Sequence, residues 1–390
     1  MKKIISGCFS LLCCSGLLFS SGLLFSSGLL FSSGLYAQNK LELLNEPALE
    51  SHLASKSVLL NTIAHDSGYI AVGERGHIIE WTNPEQWSQF AVPVSVTITD
   101  VSKLANGDFV AVGHDAVILL FKQESQEWVK VFDGYSLTDL LITSLGKQIE
   151  AQELRLENLP PDASKYDEEY YLEDLQFALE DAQKEKQAGP NKPLLSVITA
   201  DNGTVFATGA YGTLLQSKDN AQTWEFVNNR IDNESKFHLN AISKDAKGNL
   251  FIVGENAVAA KSSDNGESWE RMDLPYNGSF FGIETSPNSD HLVAFGLQGH
   301  IAVSDDSGEN WVLLPKSLSI SFLGGTIDES GKAYLVGHGG LIVTFPLSNP
   351  ENQSIYKHPS GSTFASVMLT SDKQLVLAGQ LGIKRWTIGN

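Results

Sequence analysis

Apolar and polar positions along the chain repeat one phrase. Two to four apolar residues precede a Gly, then two variable residues, a Gly or Ala, and a second apolar run. The phrase occupies residues 69–76, 109–116, 205–212, 250–257, 292–299, 333–340 and 375–382. Its first glycines, at 73, 113, 209, 254, 296, 337 and 379, are spaced 40, 96, 45, 42, 41 and 42 residues apart. Five of these six intervals fit one supersecondary unit of about 40–45 residues, the size of a four-stranded propeller blade.

Each unit predicts four antiparallel strands. An apolar stretch leads into a turn rich in Asn, Asp and Gly, such as residues 105–108, and a second strand then ends at the repeat glycine. A third strand follows, and a Trp opens the fourth in five units: Trp87, Trp128, Trp224, Trp269 and Trp311. We therefore predict an all-β fold, a seven-bladed β-propeller over residues 58–390. Because the last unit ends after its third strand, we expect residues 38–57 to supply the missing strand and close that blade.

The interval of 96 residues exceeds its neighbours by 96 − 42 = 54, which places an insertion at residues 134–193, between the second and third blades. This stretch is acidic, and Pro160-Pro161 divides it into two predicted helices. The apolar face of the second comprises Tyr171, Leu172, Leu175, Leu179 and Ala182. We expect that face to pack on the propeller or on the sister helix, or alternatively to dock a partner. The insertion is expected to overhang the face of the propeller that carries the G-x-x-G turns.

The first 37 residues have the pattern of a secretory signal peptide. Two lysines precede a long uncharged Leu/Phe/Ser/Gly segment that ends at Ala37, so we expect cleavage after Ala37 and a periplasmic protein. An uncleaved anchor is the alternative.

The only cysteines, Cys8, Cys13 and Cys14, lie in this leader, which excludes disulfides and thiolate chemistry from the rest of the chain. The charge, 27 − 46 = −19, disfavours nucleic acid and anionic membranes as partners.

Three units carry a sharper motif, S-x-D-x-G-x-x-W or a close variant, between the third and fourth strands. Its residues are Ser217, Asp219 and Trp224; Ser262, Asp264, Gly266 and Trp269; and Ser304, Asp306, Gly308 and Trp311. Ser and Asp side chains bond turn backbone groups, Gly takes the left-handed conformation, and Trp packs between sheets. We interpret these acids as structural. The motif is the Asp box of bacterial neuraminidase repeats.

With the A-V-G-x-x-G phrases, the span from about residue 58 to 390 resembles the photosystem II stability/assembly factor-like propellers. The resemblance implies a non-enzymatic assembly factor. Similar proteins also occur in bacteria without photosystems, where they are typically secreted and often encoded beside RND-type exporters. The chain departs from the photosynthetic members in its insertion and in lacking their arginine-rich patch. Its arginines are Arg75, Arg155, Arg230, Arg271 and Arg385.

Polar residues follow the repeat glycines and predict a hydrogen-bonding face for a peptide or small ligand. The candidates are Arg75, His77, His114, Tyr211, Asn256, Gln298, His300, His338 and Gln380. Solvated turns are the alternative. The histidines lack short metal-ligand spacing, so we predict neither a metal nor a cofactor.

The sequence as a whole favours a monomeric, secreted, non-enzymatic propeller that serves as an interaction or assembly factor. Its expected partner is an envelope or membrane protein complex, with an RND-type transporter suggested by the resemblance. The alternative is a glycan-binding or glycoside-hydrolase propeller of the sialidase type. A sialidase needs an arginine cluster for the substrate carboxylate, and five scattered arginines argue against one.

Overall fold

The computed structural model describes residues 42–66, 68–160 and 163–388, and its strands form seven antiparallel sheets. The predicted leader and its cleavage site lie outside the described residues. Blade 1 comprises β1 Leu59–His65, β2 Gly68–Gly73, β3 Ile78–Asn83 and β4 Gln86–Gln89. Blade 2 comprises β5 Ile98–Lys103, β6 Phe109–Gly113, β7 Ile118–Lys122 and β8 Glu127–Phe132. Helices α1 Gly134–Glu157 and α2 Tyr166–Ala188 follow, which confirms the helical insertion between blades 2 and 3.

The remaining blades repeat the same order. Blade 3 comprises β9 Leu194–Thr199, β10 Val205–Gly209, β11 Leu214–Ser217 and β12 Glu225–Phe226. Blade 4 comprises β13 Leu239–Lys244, β14 Leu250–Gly254, β15 Ala259–Ser262 and β16 Glu270–Arg271. Blade 5 comprises β17 Phe280–Thr285, β18 Leu292–Gly296, β19 Ile301–Ser304 and β20 Val312–Leu313. Blade 6 comprises β21 Phe322–Ile327, β22 Lys332–Gly337, β23 Leu341–Pro346 and β24 Ser354–Lys357; blade 7 comprises β25 Phe364–Leu369, β26 Leu375–Gly379 and β27 Gly382–Trp386.

The second strand of each blade is buried on both faces, because neighbouring blades cover it from each side. In β6 every residue is buried, in keeping with its unbroken apolar run. Phe109 and Phe121 of blade 2 pack with Ile70 and Ile78 of blade 1, and Trp128 joins the same cluster. The apolar core therefore lies between neighbouring blades, and each blade depends on its neighbours to bury its faces.

The ring closes through the innermost strands. Blade 7 meets blade 1 where the hydroxyl oxygens of Thr62 and Ser366 lie 3.1 Å apart, and Ser366 Oγ also donates to Asn61 Oδ1 at 3.2 Å. Similar side-chain bonds join other neighbours, such as Asn240 Nδ2 to the Phe280 carbonyl at 2.7 Å. These contacts confirm the predicted seven-bladed architecture.

The seventh sheet has three strands among the described residues, which differs from the predicted fourth strand supplied by residues 38–57. Instead, Ala54–Lys56 forms a 3-10 turn against the start of β27, where a Cβ on Gly382 would lie 2.0 Å from the Ser55 carbonyl oxygen. Residues farther upstream are held elsewhere. The Ala48 amide donates to the Val92 carbonyl at 2.9 Å, and Leu44 is buried in the core between blades 1 and 2. Residues 42–53 are thus bonded to blade 1 and to the connection that follows it, rather than extended along β27.

Candidate functional site

The turns between second and third strands lie on one face of the propeller, which we call the G-x-x-G face. Six of them are 3-10 turns, and the middle residue of each has a positive φ: 58° for Arg75, 57° for Tyr211, 52° for Asn256 and 55° for Gln298. These four side chains are exposed. In blades 1, 3, 4 and 5 the turn therefore presents one outward-facing polar side chain.

The first residue of each turn, directly after the repeat glycine, has a different role from the outward-facing middle residue, and the sequence alone did not reveal it. Glu74 Oε1 accepts the Val58 amide at 3.0 Å, and His338 Nδ1 lies 3.3 Å from Thr363 Oγ1. The Glu74 contact ties its turn to the chain entering the same blade, whereas the His338 contact ties the blade 6 turn to the chain entering blade 7. His114 and His338, at this position, are exposed, as is Gln380 in blade 7.

Two of the predicted site residues lie beneath the face rather than on it. His77 is 4% exposed, and its Nδ1 lies 2.9 Å from Ser57 Oγ. Burial lowers the pKa of His77 and so favours its neutral form. His300 stacks on Tyr276 with ring centroids 3.6 Å apart, while its Nδ1 lies 2.8 Å from the Leu297 carbonyl oxygen. Both histidines are placed to support their turns.

The insertion begins and ends on the G-x-x-G face, as expected. Its two ends meet beside the blade 2 turn, where a Cβ on Gly134 would lie 2.2 Å from Pro190 Cβ and 2.8 Å from the Asp115 carbonyl oxygen. Lys192, at the exit, lies 5.7 Å above the ring of Tyr211. The predicted candidate Tyr211 is therefore adjacent to the base of the insertion.

The two helices pack mainly on each other. Leu145 of α1 meets Leu175 and Ala182 of α2 in a small apolar cluster of their own. Contact with the propeller core comes from the start of α1, where Leu137 is buried beside Leu194 and Trp224. Packing on the sister helix therefore accounts for the predicted buried face of α2. Tyr171, assigned to that face, is 48% exposed.

A polar cavity of about 350 Å³ lies on the propeller axis, lined by the innermost strands of all seven blades. Asp100 accepts hydrogen bonds from Ser196 Oγ, the Val197 amide and the Val101 amide, each at 2.8 Å, and from the Asn61 side chain. Burial raises the pKa of Asp100, and these donated bonds oppose that rise.

Glu284 also lines this cavity, with no hydrogen bond or ion pair among the described residues. Burial, and then the field of Asp100, raise the pKa of Glu284 to about 8. The carboxyl group is therefore mostly protonated near pH 7. Sequence reasoning did not single out either acid, since β5 and β17 are far apart along the chain.

The Asp boxes lie on the opposite face and have the predicted internal bonds. Ser304 Oγ donates to Asp306 Oδ1 at 2.8 Å, which also accepts the Asn310 amide at 2.9 Å. Trp311 Nε1 donates to the Gly308 carbonyl at 3.0 Å. The other two boxes repeat these contacts at Ser217, Asp219 and Trp224 and at Ser262, Asp264, Gly266 and Trp269. Each aspartate is thus occupied by its own turn.

The described residues contain neither a metal-binding cluster nor a membrane-spanning helix. No group of three or more His, Cys, Asp or Glu side chains is arranged to hold a metal ion there. Nor does either helix in that part of the chain combine the length and apolar character needed to cross a membrane.

These features define a seven-bladed β-propeller with an appended helical hairpin. Residues 184–333 match the family model described as photosynthesis system II assembly factor YCF48. This match confirms, over residues 184–333, the resemblance drawn from the repeat phrases and Asp boxes.

Solved structures share the fold. One described as YCF48 bound to D1 peptide is 17% identical, with 88% of this chain and 99% of that chain covered and a TM-score of 0.55. YCF48 from Cyanidioschyzon merolae is 11% identical, with 88% and 99% covered and a TM-score of 0.55. The WD40 repeats of RRP9 are 11% identical, with 88% and 93% covered and a TM-score of 0.57. No curated protein matches the sequence.

Proposed function

We propose that this protein is a non-enzymatic interaction or assembly factor for a membrane protein complex of the cell envelope. The observation that carries the proposal is the G-x-x-G face, where outward-facing turn side chains lie next to the base of a helical hairpin. A propeller of similar fold is described as YCF48 bound to D1 peptide. By analogy, the same kind of propeller would here engage a peptide segment of its own partner.

The proposal includes secretion and a periplasmic location. Its support is the pattern of residues 1–37, with a basic start, an apolar middle and a small residue at Ala37. An RND-type exporter is the partner that the family resemblance suggests. The net charge of −19 favours a partner surface with basic residues.

The test is crosslinking followed by co-purification from cell envelopes, with full-length protein and an insertion-deleted variant. Residues 134–190 can be removed with a short Gly-Ser linker, because Gly134 and Pro190 are in contact. We expect one membrane protein to be recovered with full-length protein and lost with the variant, whose fold is checked by circular dichroism. Recovery of no partner with either protein would contradict the proposal.

A glycoside hydrolase is the second candidate, favoured by one observation. Glu284 is a partly buried acid with a pKa of about 8 in a polar cavity that it shares with Asp100, and pairs of carboxyl groups cleave glycosidic bonds in glycoside hydrolases. Against it, four donors already engage Asp100. Under this alternative, Glu284→Gln would abolish turnover of a glycan substrate; under the assembly-factor proposal, the same substitution would leave recovery of the envelope partner unchanged.

A further inference from the structure

Helix α2 has a row of large aromatic side chains on the side facing away from α1. Tyr166, Tyr170 and Phe177 are 72%, 59% and 58% exposed. At about 100° per residue, their spacings of 4 and 7 place them within an arc of about 40°. Leu175 and Ala182, which pack on α1, lie on the opposite side of the helix. We call Tyr166, Tyr170 and Phe177 the aromatic stripe.

Acidic residues follow the aromatic stripe along both of its sides. One row contains Asp167, Asp174 and Asp181, each seven residues from the next, and the other contains Glu169, Glu173 and Glu180. All six are exposed. Lys184 pairs with Asp181 at 3.2 Å and with Glu180 at 3.8 Å. The other four acids have no ion pair among the described residues.

We propose that the aromatic stripe docks a basic amphipathic helix of a protein partner. The partner's apolar face would cover the three rings, and its flanking Lys or Arg side chains would pair with the two acidic rows. This inference rests on the proposed function and names the chemistry of the partner. Exposed aromatic side chains are frequent anchors of protein interfaces, and complementary charge fixes orientation and speeds association.

The charge of the surface selects this occupant over two others. A second copy of this chain laid stripe to stripe would set six acids against six, and like charges in close contact are unfavourable. An anionic membrane would be repelled by the same rows. A helix with basic flanks meets both the apolar and the charged part of the surface.

The hairpin holds the aromatic stripe in place before a partner arrives. Arg155 of α1 pairs with Glu168 of α2 at 2.6 Å, and Lys186 of α2 pairs with Asp139 of α1. Because both ends of α2 are tied to α1, binding of a partner costs α2 little conformational entropy. From Asp167 to Asp181 the surface extends for about 21 Å, the length of about four helical turns.

The test uses a defined probe, a fluorescent peptide of about 18 residues. Its Leu residues are three and four positions apart and its other positions are Lys, so that as a helix it has one apolar face flanked by basic residues. A scrambled peptide of the same composition and a Leu/Glu counterpart serve as probe controls. Fluorescence anisotropy with full-length protein should show binding of the periodic Lys peptide that weakens with salt. The double substitution Tyr170→Ser and Phe177→Ser should weaken it about tenfold or more, the loss expected for interface anchors.

Two further variants separate the aromatic from the charged contribution. Replacing Asp167 and Asp174 with Lys should also weaken binding of the periodic Lys peptide by about tenfold. The control Leu154→Ser removes an equally exposed apolar side chain, 60% exposed, from α1 and should leave the affinity unchanged. Circular dichroism confirms that each variant keeps its helices.

Three outcomes would overturn the inference. The scrambled peptide could bind as tightly as the periodic one, or the aromatic variants could bind as tightly as the parent protein. Sedimentation could instead reveal a dimer that Tyr170→Ser dissociates, which would make the stripe a self-interface. If any of these is found while deletion of the insertion still releases the envelope partner, the proposed function stands and the stripe is not its docking surface.

Discussion

Replacing Asp306 tests whether the Asp boxes are structural. Its Oδ1 accepts Ser304 Oγ at 2.8 Å and the Asn310 amide at 2.9 Å, and its Oδ2 accepts Asn310 Nδ2 at 2.7 Å. Asp306→Ala removes both acceptor oxygens and with them three hydrogen bonds of one turn. The Ser304 hydroxyl is buried, so it then has no acceptor in the box, whereas the exposed Asn310 groups can turn to water.

The expected loss follows from those contacts. A buried donor left without its acceptor costs about 1–3 kcal/mol, and a bond to a charged group contributes about as much before solvent weakens it. Because Asp306 is only partly buried, we expect Asp306→Ala to lower the free energy of unfolding by about 2 kcal/mol. Asp306→Asn keeps an acceptor oxygen and should cost about half of that.

Urea unfolding followed by tryptophan fluorescence measures the loss, and its pH dependence gives a second check. Hydrogen bonds from Asn310 hold the pKa of Asp306 below its ordinary value. A carboxyl group whose pKa is lowered by folding stabilises the protein above the unfolded pKa of about 4, and this contribution disappears as the pH falls through the folded pKa. The difference between parent and Asp306→Ala should therefore be constant near neutrality and shrink in acid.

The neighbouring Asp305 provides the control. It is exposed in the same turn and makes no hydrogen bond or ion pair among the described residues, so Asp305→Ala should change stability by less than about 0.5 kcal/mol. Equal effects of the two substitutions would refute the structural role of the box. Loss of binding without loss of stability in Asp306→Ala would instead show a functional role.

Other substitutions test the packing. Gln216 is fully buried and its amide has no partner among the described residues, so Gln216→Met should raise the free energy of unfolding by about 1 kcal/mol in urea titration. Gly266→Ala should lower the free energy of unfolding by more than about 2 kcal/mol, since φ is 83° and the new Cβ would lie 2.1 Å from Phe206 Cζ. The control Gly107→Ala has a φ of 93° but open space around the new Cβ, so it should cost only about 1–2 kcal/mol. Leu137→Ala should cost about 3 kcal/mol in calorimetry, by leaving a cavity under the insertion.

The blades could be predicted because each carries its own local signal. The unbroken apolar run of β6 is typical of a strand covered on both faces, and the repeat glycine marks where that strand must end. At Gly254, a Cβ would lie 2.1 Å from the His238 carbonyl oxygen, so the approach of the neighbouring strand requires glycine there. Such steric requirements recur with the unit and are visible in the sequence.

Features that depend on contacts between distant segments could not be predicted. Asp100 and Glu284 are separated by 284 − 100 = 184 residues and meet only because the ring closes. His77 and Arg75 both follow a repeat glycine, yet the turn exposes Arg75 and buries His77. Residues 42–53 carry no strand pattern strong enough to show that they bond blade 1 instead of blade 7.

The measurement that tests the central claim most directly is site-specific photocrosslinking in intact cells. A photoreactive residue replaces Tyr211, which is exposed on the G-x-x-G face beside the insertion, or Asn106, which is exposed in a hairpin turn on the opposite face. We predict that the Tyr211 position crosslinks to one membrane protein of the envelope and that the Asn106 position does not. Crosslinking from Asn106 alone, or from neither position, would contradict an interaction factor that works through this face.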